Sequence, residues 1–240
     1  MGESVSSVGV SIDLRNVDDE GTLREFYQAL LEPNFAPDEL YSVDELLDGV
    51  RRGSVRVLAG VTGDGDLVAG AVGEWFAGSR VQLLSYLVVS PEARGLGAGS
   101  RVLRAALEQW TAELRPLLVV GEVEDPRYFE DVGLGDPHAR VRLYERLGVR
   151  SLPVPYAQPA LSADSKRVPH LILMVFAADE AARVTEGTVD GAIVERFLVE
   201  YFESAEGPLR ADDAEVRAML ASCRTPNGIP LLHAHELPEY

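Results

Sequence analysis

Three apolar runs, Val55–Val61, Leu67–Phe76 and Val81–Val89, follow one another with little between them and lead into a glycine-rich turn, Arg94-Gly95-Leu96-Gly97-Ala98-Gly99. The first two joints carry Gly63-Asp64-Gly65-Asp66 and Gly78-Ser79, the residues that hairpins require, so the runs predict an antiparallel meander. After the turn, Val102, Leu103, Ala106, Leu107, Trp110 and Leu114 recur at helical spacing up to Pro116, a stripe that has to pack on a sheet. The chain therefore joins a strand to a helix through glycines only once. It does so out of an antiparallel sheet, which excludes a repeating βαβ architecture.

The flanking segments complete the layout. Residues 8–12 read as a short strand, and Leu23, Phe26, Tyr27, Leu30 and Leu31 as a helix that Pro33 and Pro37 break. Ser42 and Glu45 form a capping box ahead of a second helix that Gly53 ends. Residues 117–124 read as a buried strand, and Asp136-Pro137 as the start of a helix running through Leu147 to Gly148. Strands are expected at 149–156 and 170–177, joined by a long polar loop, 157–169, that reads as a lip over a site. Beyond it, Ile193, Val194, Phe197, Leu198, Tyr201 and Phe202 form a strong helical stripe and Val216, Met219, Leu220 and Cys223 a weaker one. The strong stripe has to be buried, either as a lid on its own core or as a dimer arm, which leaves a homodimer open. The pattern predicts an α/β (α+β) fold with a mixed, mostly antiparallel central sheet flanked by helices over 1–178, and a helical extension over 179–240.

Charge is distributed unevenly. Residues 1–50 hold 12 acids and 2 bases, residues 179–240 hold 13 and 5, and the stretch between them 14 and 15. A net charge of −17 opposes nucleic-acid phosphates and anionic lipid, and an anionic ligand is best received by the neutral middle. The acidic flanks favour a cation. The single Cys223 forms no intrachain disulfide, no Cys/His cluster offers a metal site, and no 18-residue apolar run spans a membrane; a cytoplasmic protein is the expectation.

A glycine-rich turn at a helix start presents unpaired backbone N–H groups at the positive end of the helix dipole, a cradle for an anion. Ser100-Arg101 follow Gly99 where a nucleoside triphosphate loop needs Lys and then Ser or Thr. Val102 occupies the third small position of the dinucleotide fingerprint, so neither ligand fits.

Arg94, Gly97 and Gly99 are in register with the pattern Arg/Gln-x-x-Gly-x-Gly/Ala, the coenzyme A turn of the GNAT superfamily of N-acyltransferases, which this chain resembles over about residues 8 to 178. The likeness extends upstream through Tyr86-Leu87-Val88-Val89-Ser90-Pro91 and downstream to Leu143-Tyr144-Glu145-Arg146-Leu147-Gly148. It implies a GNAT-like sheet, acetyl-CoA as co-substrate and direct acyl transfer to an amine; the acidic flanks favour a small-molecule, cationic one, with protein N-termini and lysines, polyamines, amino sugars and amino acids all left open. By the same resemblance, the amides of Arg94, Gly95, Leu96, Gly97, Ala98, Gly99 and Ser100 would hold the diphosphate. The backbone of Leu87, Val88 and Val89 would pair with pantetheine and polarise the thioester carbonyl, and Tyr144 would face the sulfur as the acid.

Attack on the thioester needs a neutral amine and hence a base. Many members of the family place a glutamate on the fourth strand, but Val81–Val89 contains no acid. On the next strand Glu122 and Glu124 lie two apart and share a face, where two neighbouring carboxylates would push one pKa upward. They are the candidate bases. The missing fourth-strand acid also keeps open a non-catalytic acyl-CoA-binding module, and a hydroxyl acceptor remains an alternative to the amine.

Overall fold

The computed structural model describes residues 11–130, 135–162 and 164–240. Its strands are β1 (Asp13–Asn16), β2 (Val55–Val61), β3 (Leu67–Phe76), β4 (Val81–Val89), β5 (Leu118–Glu124), β6 (Arg150–Ser151), β7 (Ala157–Gln158), β8 (Val168–Pro169), β9 (Leu171–Ala178), β10 (Arg183–Thr185), β11 (Thr188–Val189) and β12 (Ile229–Pro230), the last three forming a small antiparallel sheet within the extension expected to be helical. The helices are α1 (Glu20–Phe26), continued by a π-turn (Tyr27–Leu31), α2 (Val43–Arg52), α3 (Ala98–Leu114), α4 (Pro137–Arg146), α5 (Gly191–Glu206) and α6 (Ala214–Cys223). Seven strands form the main sheet in the order β1-β2-β3-β4-β5-β9-β6, antiparallel except for the β4–β5 pair. This is the mixed, mostly antiparallel sheet flanked by helices that the pattern predicts.

The meander falls where its turn residues place it. Ser42 accepts from the Glu45 amide and Glu45 from the Ser42 amide, and Gly53 takes a left-handed φ of 73° to end α2. α3 and α4 cover one face of the sheet, with Val102, Leu103, Ala106, Trp110, Val141 and Tyr144 packed on Leu84, Val123 and Met174. On the other face α1 and α2 pack over Val57, Val72, Tyr86 and Val88, and α5 and α6 over Phe76, Leu83, Val120 and Val175. The strong stripe at 193–202 is thus buried on this chain's own sheet. Each such side chain removed from water contributes about 1.5–3 kcal/mol.

Two expected strands differ. The first lies at Asp13–Asn16 rather than 8–12; residues 8–10 fall outside the described ones, and the polar Asp-Leu-Arg-Asn segment is a strand because it pairs with β2 along the sheet edge. The strand expected over 149–156 is cut to Arg150–Ser151, since Pro153 and Pro155 remove backbone donors that a longer ladder needs. The 157–169 loop is closed at its base by the β7–β8 ribbon. Arg167 fastens it to the C-terminal helices through Glu206, Asp213 and Glu215, at 2.6, 2.6 and 2.8 Å.

Candidate functional site

The site lies where β4 and β5 part. Their parallel ladder runs from Val81–Leu118 to Leu84–Gly121 and stops, while β4 continues to Val89 and β5 to Glu124. Over Leu87, Val88 and Val89 the β4 backbone therefore has β3 on one side and a gap on the other. The gap begins at a β-bulge. Val72 faces Tyr86 while Gly73 faces Leu84, so Ser85 is the extra residue and the alternation of faces slips by one. Val81 and Leu83 before the bulge share a face with Tyr86 and Val88 after it.

The glycine-rich turn closes one end of this gap. Gly95 and Gly97 hold left-handed φ values of 77° and 84°, a region that favours glycine, and a Cβ on either would meet nothing within 4 Å. α3 begins at Ala98 with no side chain capping its first amides. Such an open, uncapped helix start fits a diphosphate. The Arg94 guanidinium donates to Asn34 Oδ1 at 2.7 Å and to the Val89 carbonyl at 3.4 Å, tying the turn to the chain after α1 and to the end of β4. Leu96 is exposed and Ala98 is buried against the sheet.

Two adjoining clefts occupy the gap, sharing Asn34, Phe35, Ser85, Glu122 and Arg140. One runs along Leu87, Val88 and Val89 to Gly121, Tyr144 and Phe176. The other opens between Glu39, Tyr86, Glu124 and Gln158. Tyr144 reaches the first from the α4 side of the sheet, its ring edge-on to Phe176 at 5.0 Å, and burial pushes its hydroxyl up to about 12. Glu122 reaches both clefts and belongs to the opposite face, so the two groups stand on either side of the gap.

Glu122 has its pKa raised to about 8, first by loss of hydration and then by the charges of Glu74 and Glu39. A hydrogen bond from Tyr156, at 2.5 Å, pulls it back toward the ionised form, and the Tyr201 hydroxyl on α5 does so to a smaller extent. The expectation that Glu124 would drive this rise is corrected. Glu124 lines the same cleft, but its charge is matched by Arg140 at 2.8 Å, and burial supplies the larger effect. Around this carboxyl the chain builds a tyrosine-rich wall. Tyr41 donates to Glu74 at 3.2 Å, the Tyr41 amide donates to the Tyr86 hydroxyl, and that hydroxyl donates to the Glu39 carbonyl. Burial also raises Glu74 to about 7.

Sequence reasoning did not single out Ser85, Tyr156, Tyr201 or Glu74. The phase slip between Val81/Leu83 and Tyr86/Val88 signals the bulge, and a lone acid inside the apolar β3 run signals Glu74. Tyr201 was hidden within a stripe that its neighbours explain as core. Cys223 is buried on α6, away from the clefts, with its thiol pushed up to about 12 by burial. Among the described residues no group of three His, Cys, Asp or Glu side chains could hold a metal, and no helix is long and apolar enough to cross a membrane.

Residues 23–125 match the acetyltransferase (GNAT) family model. A putative GNAT-family acetyltransferase from Bacteroides thetaiotaomicron has a similar solved structure, with 21% identity, a TM-score of 0.56, and coverage of 80% of this chain and 99% of that one. A second similar structure is the spermidine/spermine N-acetyltransferase SpeG from Vibrio cholerae, at 17% identity and a TM-score of 0.48 over 69% of this chain and 92% of that one. No curated protein matches the sequence.

Proposed function

We propose that this chain, whose residues 23–125 match the acetyltransferase (GNAT) family model, transfers an acyl group, most simply acetyl, directly from acetyl-CoA to a small cationic amine. One observation carries the reading: Glu122 and Tyr144 approach a single gap from opposite faces of the sheet, beyond an open helix start suited to a diphosphate. Both reactants are substrates consumed in each turnover.

The amides from Arg94 to Ser100 hold the diphosphate, and the gap edge of Leu87, Val88 and Val89 receives the pantetheine arm. Glu122, poised near 8, takes a proton from the bound ammonium. The freed nitrogen forms the C–N bond as the carbonyl electron pair moves to oxygen, and its return breaks the C–S bond. Tyr144 faces the departing sulfur. A hydroxyl near 12 is a weaker acid than an alkyl thiol, for which free cysteine at about 8.5 is a guide, so full transfer would run uphill by about 5 kcal/mol. Tyr144 therefore serves as a hydrogen-bond donor to sulfur, and the second proton of the nitrogen accounts for the thiol. One proton per turnover leaves through Glu122.

The cation preference rests on the acids around the acceptor cleft, Glu39, Glu122 and Glu124, against the single Arg140. The residues after 178 belong to the working site, since α5 brings Tyr201 to Glu122. The test is thiol release from acetyl-CoA across a panel of primary amines, with mass spectrometry of the product. Glu122→Gln should lower kcat/KM by about 100-fold or more. Coenzyme A binding without amine-dependent thiol release would instead identify a non-catalytic module, and an ester product an O-acyltransferase.

A further inference from the structure

Among the described residues, few buried side-chain polar atoms lack a hydrogen-bond partner: both polar atoms of Gln82 and the hydroxyls of Ser85, Ser90 and Ser151. Of these four residues, Ser85 alone lines the clefts described above, and it lines both. It is also the extra residue of the β4 bulge and the first β4 residue past the last β4–β5 rung, Leu84–Gly121. The bulge lifts Ser85 out of the alternation that commits Leu84 to the α3 face and Tyr86 to the other. A hydroxyl sealed from solvent with no partner destabilises the protein that carries it, unless something that enters the cleft completes its hydrogen bonding.

The position of Ser85 indicates what that is. Its first cleft contains Tyr144, where the sulfur belongs, and its second contains Glu39 and Glu124, where the amine enters; Glu122 belongs to both. The carbon under attack must lie where the two meet. A carbonyl oxygen there can only accept, and a serine hydroxyl has one proton to donate.

We propose that Ser85 is a catalytic residue whose hydroxyl donates to the thioester carbonyl oxygen and holds the negative charge that oxygen acquires when the amine adds. The inference rests on acyl transfer taking place in this gap. As the C–N bond forms, the carbonyl pair moves onto oxygen, and the Ser85 hydrogen bond strengthens; as the C–S bond breaks, the pair returns and the bond relaxes. Ser85 keeps its proton throughout, so it contributes no net charge or proton to the balance. A donor matched to charge that develops only in the transition state acts on kcat more than on binding.

The test is Ser85→Ala, followed by steady-state kinetics, calorimetry with coenzyme A and thermal unfolding of the ligand-free protein. The expected result is a loss of about 100-fold in kcat, with the coenzyme A dissociation constant and the amine KM within about threefold of the parent. The ligand-free variant should unfold at the same temperature or higher, because an unsatisfied hydroxyl has gone. Ser85→Thr, which keeps the donor, should recover at least about tenfold of the loss. A lowered unfolding temperature with the affinities weakened in parallel would make Ser85 structural and overturn the proposal. So would a loss confined to the amine KM, which would make it an acceptor contact, or an unchanged kcat. If the parent protein releases no thiol with any amine while Ser85→Ala still unfolds normally, acyl transfer itself fails and the inference falls with it.

Discussion

Tyr156→Phe removes one hydroxyl and leaves the shape of its ring in place, so it isolates what that hydrogen bond does to Glu122. The hydroxyl donates to the Glu122 carboxylate at 2.5 Å and favours the charged form, against burial and the neighbouring acids. A hydrogen bond to a charged group is worth about 1.5–3 kcal/mol, or roughly 1–2 pKa units, so its loss should carry the carboxyl from about 8 to about 9 or 10. At pH ~7.5 the ionised fraction would fall from about 24% to about 3% or less, a loss of roughly 10-fold to 100-fold in the competent enzyme. The direction follows because the base must be ionised to act, so raising its pKa moves the ascending limb of the pH profile to higher pH. The assay is kcat/KM for one primary amine from about pH 6 to about pH 10 in both proteins. The amine's own titration is common to both and cancels in the ratio. The deficit should be largest below about pH 8 and close to within about threefold near pH 10. A deficit of the same size at every pH would refute the reasoning, because it would show lost packing or lost substrate contact in place of an altered base.

Two further outcomes follow from other parts of the site. Gly97→Asp forces a side chain into a left-handed φ of 84° and sets a negative charge at the start of α3; calorimetry should show coenzyme A affinity reduced by about 100-fold with the circular dichroism spectrum retained. An unchanged affinity would remove the turn as the diphosphate site. Glu74 has a folded-state pKa near 7 against an ordinary 4.5, so the folded protein holds that proton more tightly, and stability is lost as pH rises through about 7. Glu74→Gln should therefore stabilise by up to about 3 kcal/mol above pH ~8 and be nearly neutral at pH ~4, a difference read from thermal unfolding at the two pH values.

The parts of this molecule that were legible in its sequence are those whose determinants lie close together in the chain. The meander, the α2 capping box and the Asp136-Pro137 start of α4 each depend on a few adjacent residues, and each stands where those residues place it. The glycine-rich turn is similarly local. The surroundings of Glu122 are not: Tyr156 follows β6, Tyr201 lies on α5, Glu74 on β3, and Glu39 in the link before α2. Only the register β4–β5–β9 and the packing of α5 bring them together, and no spacing in the chain encodes that meeting. Glu122 and Glu124 look equivalent on the strand, and it is burial of the one and the Arg140 ion pair of the other that set them apart. The shortened strand after α4 has a simpler lesson, because Pro153 and Pro155 were visible and their missing donors outweighed the apolar alternation around them.

α5 covers one face of the sheet and also delivers the Tyr201 hydroxyl to Glu122, so the same helix is roof and tuning element. A displacement of this helix would therefore change the acidity of Glu122 as well as the packing on the sheet. The titration of a single carboxyl on β5 would thus report on how residues 191–206 sit.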